Sequence, residues 1–302
     1  MDEIEGTDVT TPDGTRIRRW GRVPEDATEA VVFVHGATYG GRSAFDPEGF
    51  SWLEAVAEDD RAAYAVDVRG YGDSERPPEL DAPADENEPV VRASTAAMDV
   101  AAADAELRDS YRSVHLVGYS WGTIIAGLGL AEGRFDVDSL VQYAPVHRPP
   151  ETHRDRLSPG DPPVAYRRVT KDEARTRWAD QRPGDSVPAD AFEAFWEALV
   201  SSGQRGGDDE IVAPNGTLVD VRAAIDAPLY DPGEIEVPSL VVRGSLDTAS
   251  IRRDAVGLYD RLGGDDRTYV ELAGGTHFMQ FEPRRHALYD AVRDFHDRVG
   301  PD

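Results

Sequence analysis

Short continuous apolar runs recur along this chain, and segments of helical length with one apolar face separate them. Two runs, Ile4 to Thr10 and Thr15 to Trp20, flank Pro12-Asp13-Gly14, whose turn chemistry predicts a hairpin. Ala30 to Val34 is apolar throughout, as in a strand covered on both faces. Ser51 can cap a helix to Ala57 that carries Trp52, Leu53 and Val56 on one side. A strand follows at Ala63 to Val68, then a loop over 75–91 rich in Pro, Asp and Glu, and a helix over 94–112. Val114 to Val117 is the next apolar run, Thr123 to Ala131 the next helix, and Ser139 to Tyr143 another strand. Strand and helix thus alternate from residue 30 to 145, which predicts a parallel, doubly wound sheet with right-handed crossovers.

The alternation stops at Pro145, and up to about Val237 the pattern predicts no buried strand. Prolines cluster at Pro149-Pro150 and Pro162-Pro163. Helical patterns cover Lys171 to Gln181 and Ala189 to Ser201, the second with Phe192, Phe195, Trp196 and Leu199 in one apolar stripe that reads as packing onto the core. The strand pattern resumes at Ser239 to Gly244 and at Thr268 to Leu272, around a helix over Arg252 to Leu262. Pro283 is placed to open a last helix to Val299. The expected organisation is therefore a core from 1–145 and 237–302, with a helical cap inserted over 146–236.

Charge changes the picture more than any other feature of composition. Asp and Glu number 58 against 32 Lys and Arg, a formal net charge of −26, and Lys171 is the sole lysine. This resembles the acidic, lysine-poor proteins of salt-accumulating halophiles. A chain so charged repels itself in dilute buffer, and at about 1 M salt a Debye length of ~3 Å screens the repulsion. Such a surface disfavours nucleic acid and anionic membranes as partners. The absence of cysteine removes disulfides and thiolate metal sites. Met1-Asp2-Glu3-Ile4-Glu5 has neither a basic nor an apolar leader region, and no apolar run approaches the ~20 residues of a membrane span, so a soluble, cytoplasmic protein is expected. No glycine-rich dinucleotide fingerprint follows a strand, and His147 and His153 lack metal-ligand spacing, so no cofactor and no metal are expected.

The chemistry centres on Gly118-Tyr119-Ser120-Trp121-Gly122. A serine at the tip of a sharp strand-to-helix turn sits in strained backbone, and glycines two before and two after it let strand and helix approach closely. The following helix begins behind the serine and turns its positive end toward any oxyanion formed there. Serine is a weak nucleophile and needs an adjacent base. His277, in Gly274-Gly275-Thr276-His277-Phe278, lies just past the last strand. Asp247 follows the next-to-last strand, with Asp226, Asp231 and Asp254 as rival carboxylates nearby in sequence. His115, inside the elbow strand, reads as structural.

In this order of Ser120, Asp247 and His277 the chain resembles the α/β-hydrolase-fold serine hydrolases of the esterase and lipase branch. The resemblance implies a mostly parallel sheet of about eight strands with the inserted cap. It implies Ser120 as nucleophile, His277 as base and Asp247 as orienting acid. It also implies an oxyanion hole from the backbone N–H groups of Trp121 and Ala37, with His35 tying down the Ala37 loop. Asp67 to Ser74 is similar to that family's D-x-R-G-x-G-x-S loop, which shapes the turn beside the site. The activity implied is hydrolysis of a small or medium carboxylic ester or lactone, with a small-molecule ester and water as the partners. Carbon–carbon bond hydrolases share the triad. Proline iminopeptidases share a tryptophan after the serine, although His35-Gly36-Ala37-Thr38 departs from their H-G-G-P-G. A ligand-binding receptor on the same fold is the non-enzymatic alternative.

Overall fold

The computed structural model describes residues 4–300 except 162, 183, 184 and 186. Met1, Asp2 and Glu3 of the N-terminal stretch, and Pro162 of the second proline pair, lie outside the described residues. The central sheet comprises β1 (Glu5–Thr10), β2 (Arg16–Arg22), β3 (Glu29–Val34), β4 (Ala62–Asp67), β5 (Ser113–Tyr119), β6 (Ser139–Tyr143), β9 (Ser239–Gly244) and β10 (Arg267–Leu272). They pair in the order β1-β2-β4-β3-β5-β6-β9-β10. β1 and β2 form the antiparallel hairpin at one edge, and β2 meets β4 antiparallel. From β4 to β10 every pairing is parallel. The elbow strand β5 lies in the middle of the sheet, and each of its residues is buried. That position explains the uninterrupted apolar character of its run and of β3 beside it.

Helices cover both faces. On one lie α3 (Ala93–Arg108), α4 (Trp121–Ala131) and α8 (Arg252–Arg261), and on the other α1 (Gly41–Phe45), α2 (Trp52–Ala57) and α9 (Arg285–Val299). α3 buries Ala93, Ala96, Ala97, Val100, Ala103 and Leu107, a helical stripe of mostly small side chains that lets it lie close to the sheet. Ser51 caps α2 by accepting the Glu54 N–H at 2.8 Å. α1 has no counterpart in the sequence pattern; its single turn begins at Gly41, with Gly40 at its N-cap. Pro283 precedes the last helix rather than opening it: α9 begins at Arg285, with Arg284 at its N-cap.

The segment between β6 and β9 departs most from the sequence reading. It contains α5 (Lys171–Ala179), α6 (Ala189–Val200) and α7 (Gly216–Asp226), but also two strands, β7 (Tyr166–Thr170) and β8 (Glu210–Pro214). These pair antiparallel in a small separate sheet, so the segment is not purely helical. β8 is short and follows a Gly- and Asp-rich stretch, and its partner is forty residues upstream, so no local hairpin signal marks either strand. α7 was also unmarked. Its Asp220 accepts from the Ala93 N–H at 2.6 Å and pairs with Arg92 at 2.6 Å, tying the end of the segment to the start of α3. The aromatic stripe of α6 packs with Trp178, Tyr39, Phe278 and Phe281 in a third apolar cluster. Trp178 faces Phe278 at 5.2 Å between ring centroids, and Phe195 faces Phe281 at 5.3 Å. Among the described residues no helix is long and apolar enough to cross a membrane.

Candidate active site

Ser120 stands between β5 and α4 with φ 54° and ψ −119°, a conformation that costs a residue with a Cβ on the order of 1–3 kcal/mol. Its surroundings hold it there. The Ser120 N–H donates to the Tyr143 carbonyl at 3.0 Å, and the Ser120 carbonyl accepts from the Thr123 hydroxyl at 2.6 Å. The flanking glycines are steric requirements. A Cβ on Gly122 would lie 2.2 Å from the Val34 carbonyl oxygen, and one on Gly118 would lie 2.6 Å from that of Gly122.

Chains from three strand ends converge on this serine. Oγ of Ser120 lies 2.9 Å from Nε2 of His277, and Nδ1 of His277 lies 2.8 Å from Oδ2 of Asp247. A carboxylate accepts only, so Nδ1 carries the proton and Nε2 offers its lone pair to the serine hydroxyl. The other oxygen of Asp247 accepts the N–H groups of Ala249 and Ser250, both at 2.8 Å. The rival carboxylates are engaged elsewhere: Asp254 takes the N–H groups of His147 and Arg148, Asp226 pairs with Arg154, and Asp231 pairs with Arg261.

The loop after β3 lies against the serine; a Cβ on Gly36 would come within 3.1 Å of Ser120 Cβ. His35, wholly buried, fixes this loop. Its Nε2 accepts the Val68 N–H at 3.3 Å, so Nδ1 donates to the Gly36 carbonyl at 2.8 Å. In a trans peptide the N–H leaves from the edge opposite the carbonyl, so the Ala37 N–H faces away from His35. The Ala37 carbonyl is held by the Tyr71 hydroxyl at 2.9 Å, Arg167 Nη2 at 2.8 Å and the Thr217 hydroxyl at 3.3 Å. Trp121, at the first position of α4, has an N–H with no partner inside the helix.

Asp67 closes the neighbouring turn. It accepts from the Gly41 N–H, the Asp73 N–H and the Trp20 indole, while burial raises its pKa to about 6. Burial lowers that of His35 to about 4. The unfolded chain then binds the His35 proton first, so protonation draws the protein toward unfolding as pH falls from about 6.5 to about 4. We expect the stability advantage of wild type over His35→Gln, from urea unfolding at a series of pH values, to shrink by up to about 3 kcal/mol across that window. A flat difference would show that His35 keeps its proton affinity in the fold.

Three further side chains brace these loops. Gln181, just after α5, accepts the His277 N–H at 2.9 Å and lies 3.4 Å from the Thr248 N–H, so it links the two loops that bear His277 and Asp247. Glu282 is buried and receives the Thr276 N–H and hydroxyl. Arg243 donates to the carbonyls of Asp247 and Ser250 and pairs with Glu271. Only Arg243 stands out beforehand, as a charge inside the run Ser239-Leu240-Val241-Val242-Arg243-Gly244. His115 is buried, hydrogen-bonded to Ser139 at 2.8 Å and stacked on His296.

A cavity of about 560 Å³ opens over Ser120 and His277. Its lining includes Ala37 and Tyr39, together with Leu157 and Leu218 from the segment between β6 and β9. Among the described residues no group of three or more His, Cys, Asp or Glu side chains is placed to hold a metal ion.

No curated protein sequence matches the chain. Solved structures do. An esterase from Exiguobacterium antarcticum is 19% identical with a TM-score of 0.65, over 96% of this chain and 99% of that one. A thermophilic esterase from Thermogutta terrifontis, with malate bound, is 17% identical with a TM-score of 0.67, over 98% and 100%. An E-2-(acetamidomethylene)succinate hydrolase is 19% identical with a TM-score of 0.69, also over 98% and 100%. At such identities the likeness speaks for the fold. The sequence profile of the alpha/beta hydrolase family matches residues 31–291, and the chain belongs to that family.

Proposed function

We propose that this hydrolase cleaves a small or medium carboxylic ester or lactone through an acyl-enzyme on Ser120, in a core formed by residues 1–145 and 237–302 and capped by residues 146–236. The observation that carries the reading is the unbroken relay from Asp247 through His277 to Ser120, open to a cavity. His277 takes the Ser120 proton as Oγ attacks the ester carbonyl. Asp247 stabilises the imidazolium that results. The oxyanion is received by the N–H groups of Trp121 and Ala37. Collapse expels the alcohol, which leaves with the proton from His277. Water, deprotonated by the same histidine, then attacks the acyl-enzyme, and the acid departs as Ser120 recovers its proton. The sum is ester plus water to acid plus alcohol, with no cofactor.

The test is turnover of a p-nitrophenyl ester series from acetate to decanoate in molar KCl. Many product equivalents per protein, with a chain-length optimum, would support an esterase with a bounded acyl pocket. A folded protein that releases no more than one equivalent from any member would remove the reading in favour of amide or carbon–carbon bond cleavage, or of ligand binding.

The charge of −26 supports a salt-rich working medium. Activity should fall in dilute buffer, where the Debye length exceeds ~10 Å, and return when KCl is restored. Full activity below about 0.1 M salt would contradict that.

A further inference from the structure

Three arginines line the cavity over Ser120: Arg156, Arg167 and Arg177. Among the described residues none of them forms an ion pair with a carboxylate; Arg167 is half-buried, and most of the protein's other buried or half-buried arginines are paired. Arg167 spends its guanidinium on neutral oxygens only: the carbonyls of Pro214 and Ala37, the Asn215 side chain and the Thr38 hydroxyl. Arg177, on α5, is exposed and lines the same cavity as Tyr39 and Arg167. Arg156 meets His153 and the Thr248 carbonyl.

Asp180 is the one carboxylate that shares the cavity wall with them, and it forms no ion pair with any of the three. Elsewhere on this protein a neighbouring Asp or Glu compensates most half-buried arginines. Here the half-buried Arg167 is left with neutral partners beside the reaction centre, and the exposed Arg177, which also forms no ion pair, lies on the same cavity lining. A desolvated charge such as that of Arg167, left without a counterion, is unfavourable. An arginine fork is matched in shape and charge by a carboxylate.

We propose that this cavity takes a substrate bearing a free carboxylate away from the scissile bond, a half-ester of a dicarboxylic acid in chemical class, and that Arg177 receives it with Arg167 supplying charge behind. The proposal deepens the esterase reading and rests on it for the reaction, but not for binding. The far field of the acidic surface opposes such a substrate in dilute buffer. In molar salt that field is screened within ~3 Å, and direct contact with the arginines remains.

The experiment compares mono-(4-nitrophenyl) glutarate with its neutral methyl ester, in molar KCl, for wild type, Arg177→Gln and Arg253→Gln. Arg253 is exposed and outside the cavity, so its variant makes the same change in net charge. The expected result is a ratio of kcat/KM, anionic over neutral, of about 10 or more in wild type and in Arg253→Gln, carried mainly by KM, and a fall of about tenfold in Arg177→Gln. A wild-type ratio near one, or a ratio that survives Arg177→Gln, would overturn the proposal. Binding is read independently of turnover by calorimetric titration with monomethyl glutarate and dimethyl glutarate in the same buffer. Saturable binding of the anion alone, lost in Arg177→Gln, would uphold the subsite even if neither nitrophenyl ester were cleaved, in which case only the esterase reading would fail. No binding of monomethyl glutarate against the chloride background would mean that the arginines hold simple inorganic anions only, and would end the proposal.

Discussion

Ser120→Ala should abolish ester turnover, with kcat falling by about 10⁴-fold or more, while the protein remains folded. The size follows from what the side chain does. Without Oγ no acyl-enzyme forms, and His277 loses the group it deprotonates. The residual rate is what the oxyanion donors and binding alone provide to attack by water. The substitution removes one atom from a half-exposed side chain whose backbone is held by the Tyr143 carbonyl and the Thr123 hydroxyl, so unfolding should not account for the loss. The measurement is steady-state turnover of the best p-nitrophenyl ester, with circular dichroism in molar KCl as the control for folding. A variant as active as wild type would remove Ser120 from the mechanism. The same variant should escape covalent labelling by a fluorophosphonate that labels wild type.

Asp247→Asn should lower kcat by about 10⁴-fold with little change in KM. An asparagine can keep the N–H groups of Ala249 and Ser250 on its oxygen, and its amide then donates to His277 Nδ1 instead of accepting from it. That selects the wrong tautomer and places a proton on Nε2, which can no longer accept one from Ser120. Arg243 holds the loop through the backbone carbonyls of Asp247 and Ser250, so its geometry should survive the change. Asp254→Asn serves as the comparison, because that carboxylate serves the N–H groups of His147 and Arg148 and not His277. A loss in Asp247→Asn no larger than in Asp254→Asn would show that His277 is oriented by something other than Asp247.

Part of this protein can be derived from residue order alone, because the relevant interactions are local. The covered strands Ala30 to Val34 and Val114 to Val117 declare themselves by continuous apolar character, since a parallel strand buried on both faces has no polar side to show. Ser51 declares a helix start because the cap bonds within three residues. Gly118 declares the elbow because the close approach it allows, to the Gly122 carbonyl, lies within the one turn. The alternation of strand and helix orders the parallel sheet, and the positions just after β5, β9 and β10 bring Ser120, Asp247 and His277 to the same edge.

What sequence leaves open depends on partners distant along the chain. β7 and β8 are strands only because each has the other, across the whole of α5 and α6. Neither has the length or the alternation to show this alone. Gln181 acquires its role by meeting two N–H groups from loops that the fold carries to it, and glutamine has no spacing rule that announces such a contact. The choice of Asp247 over Asp254, seven residues later, is likewise tertiary: the first faces an imidazole and the second a pair of backbone N–H groups. That Arg167 meets only neutral oxygens is legible only in three dimensions, since its partners at Ala37, Thr38, Pro214 and Asn215 lie far from it along the chain. Local covalent geometry and periodic burial are written in neighbouring residues, whereas the electrostatic character of a cavity is a sum over groups that only the folded chain assembles.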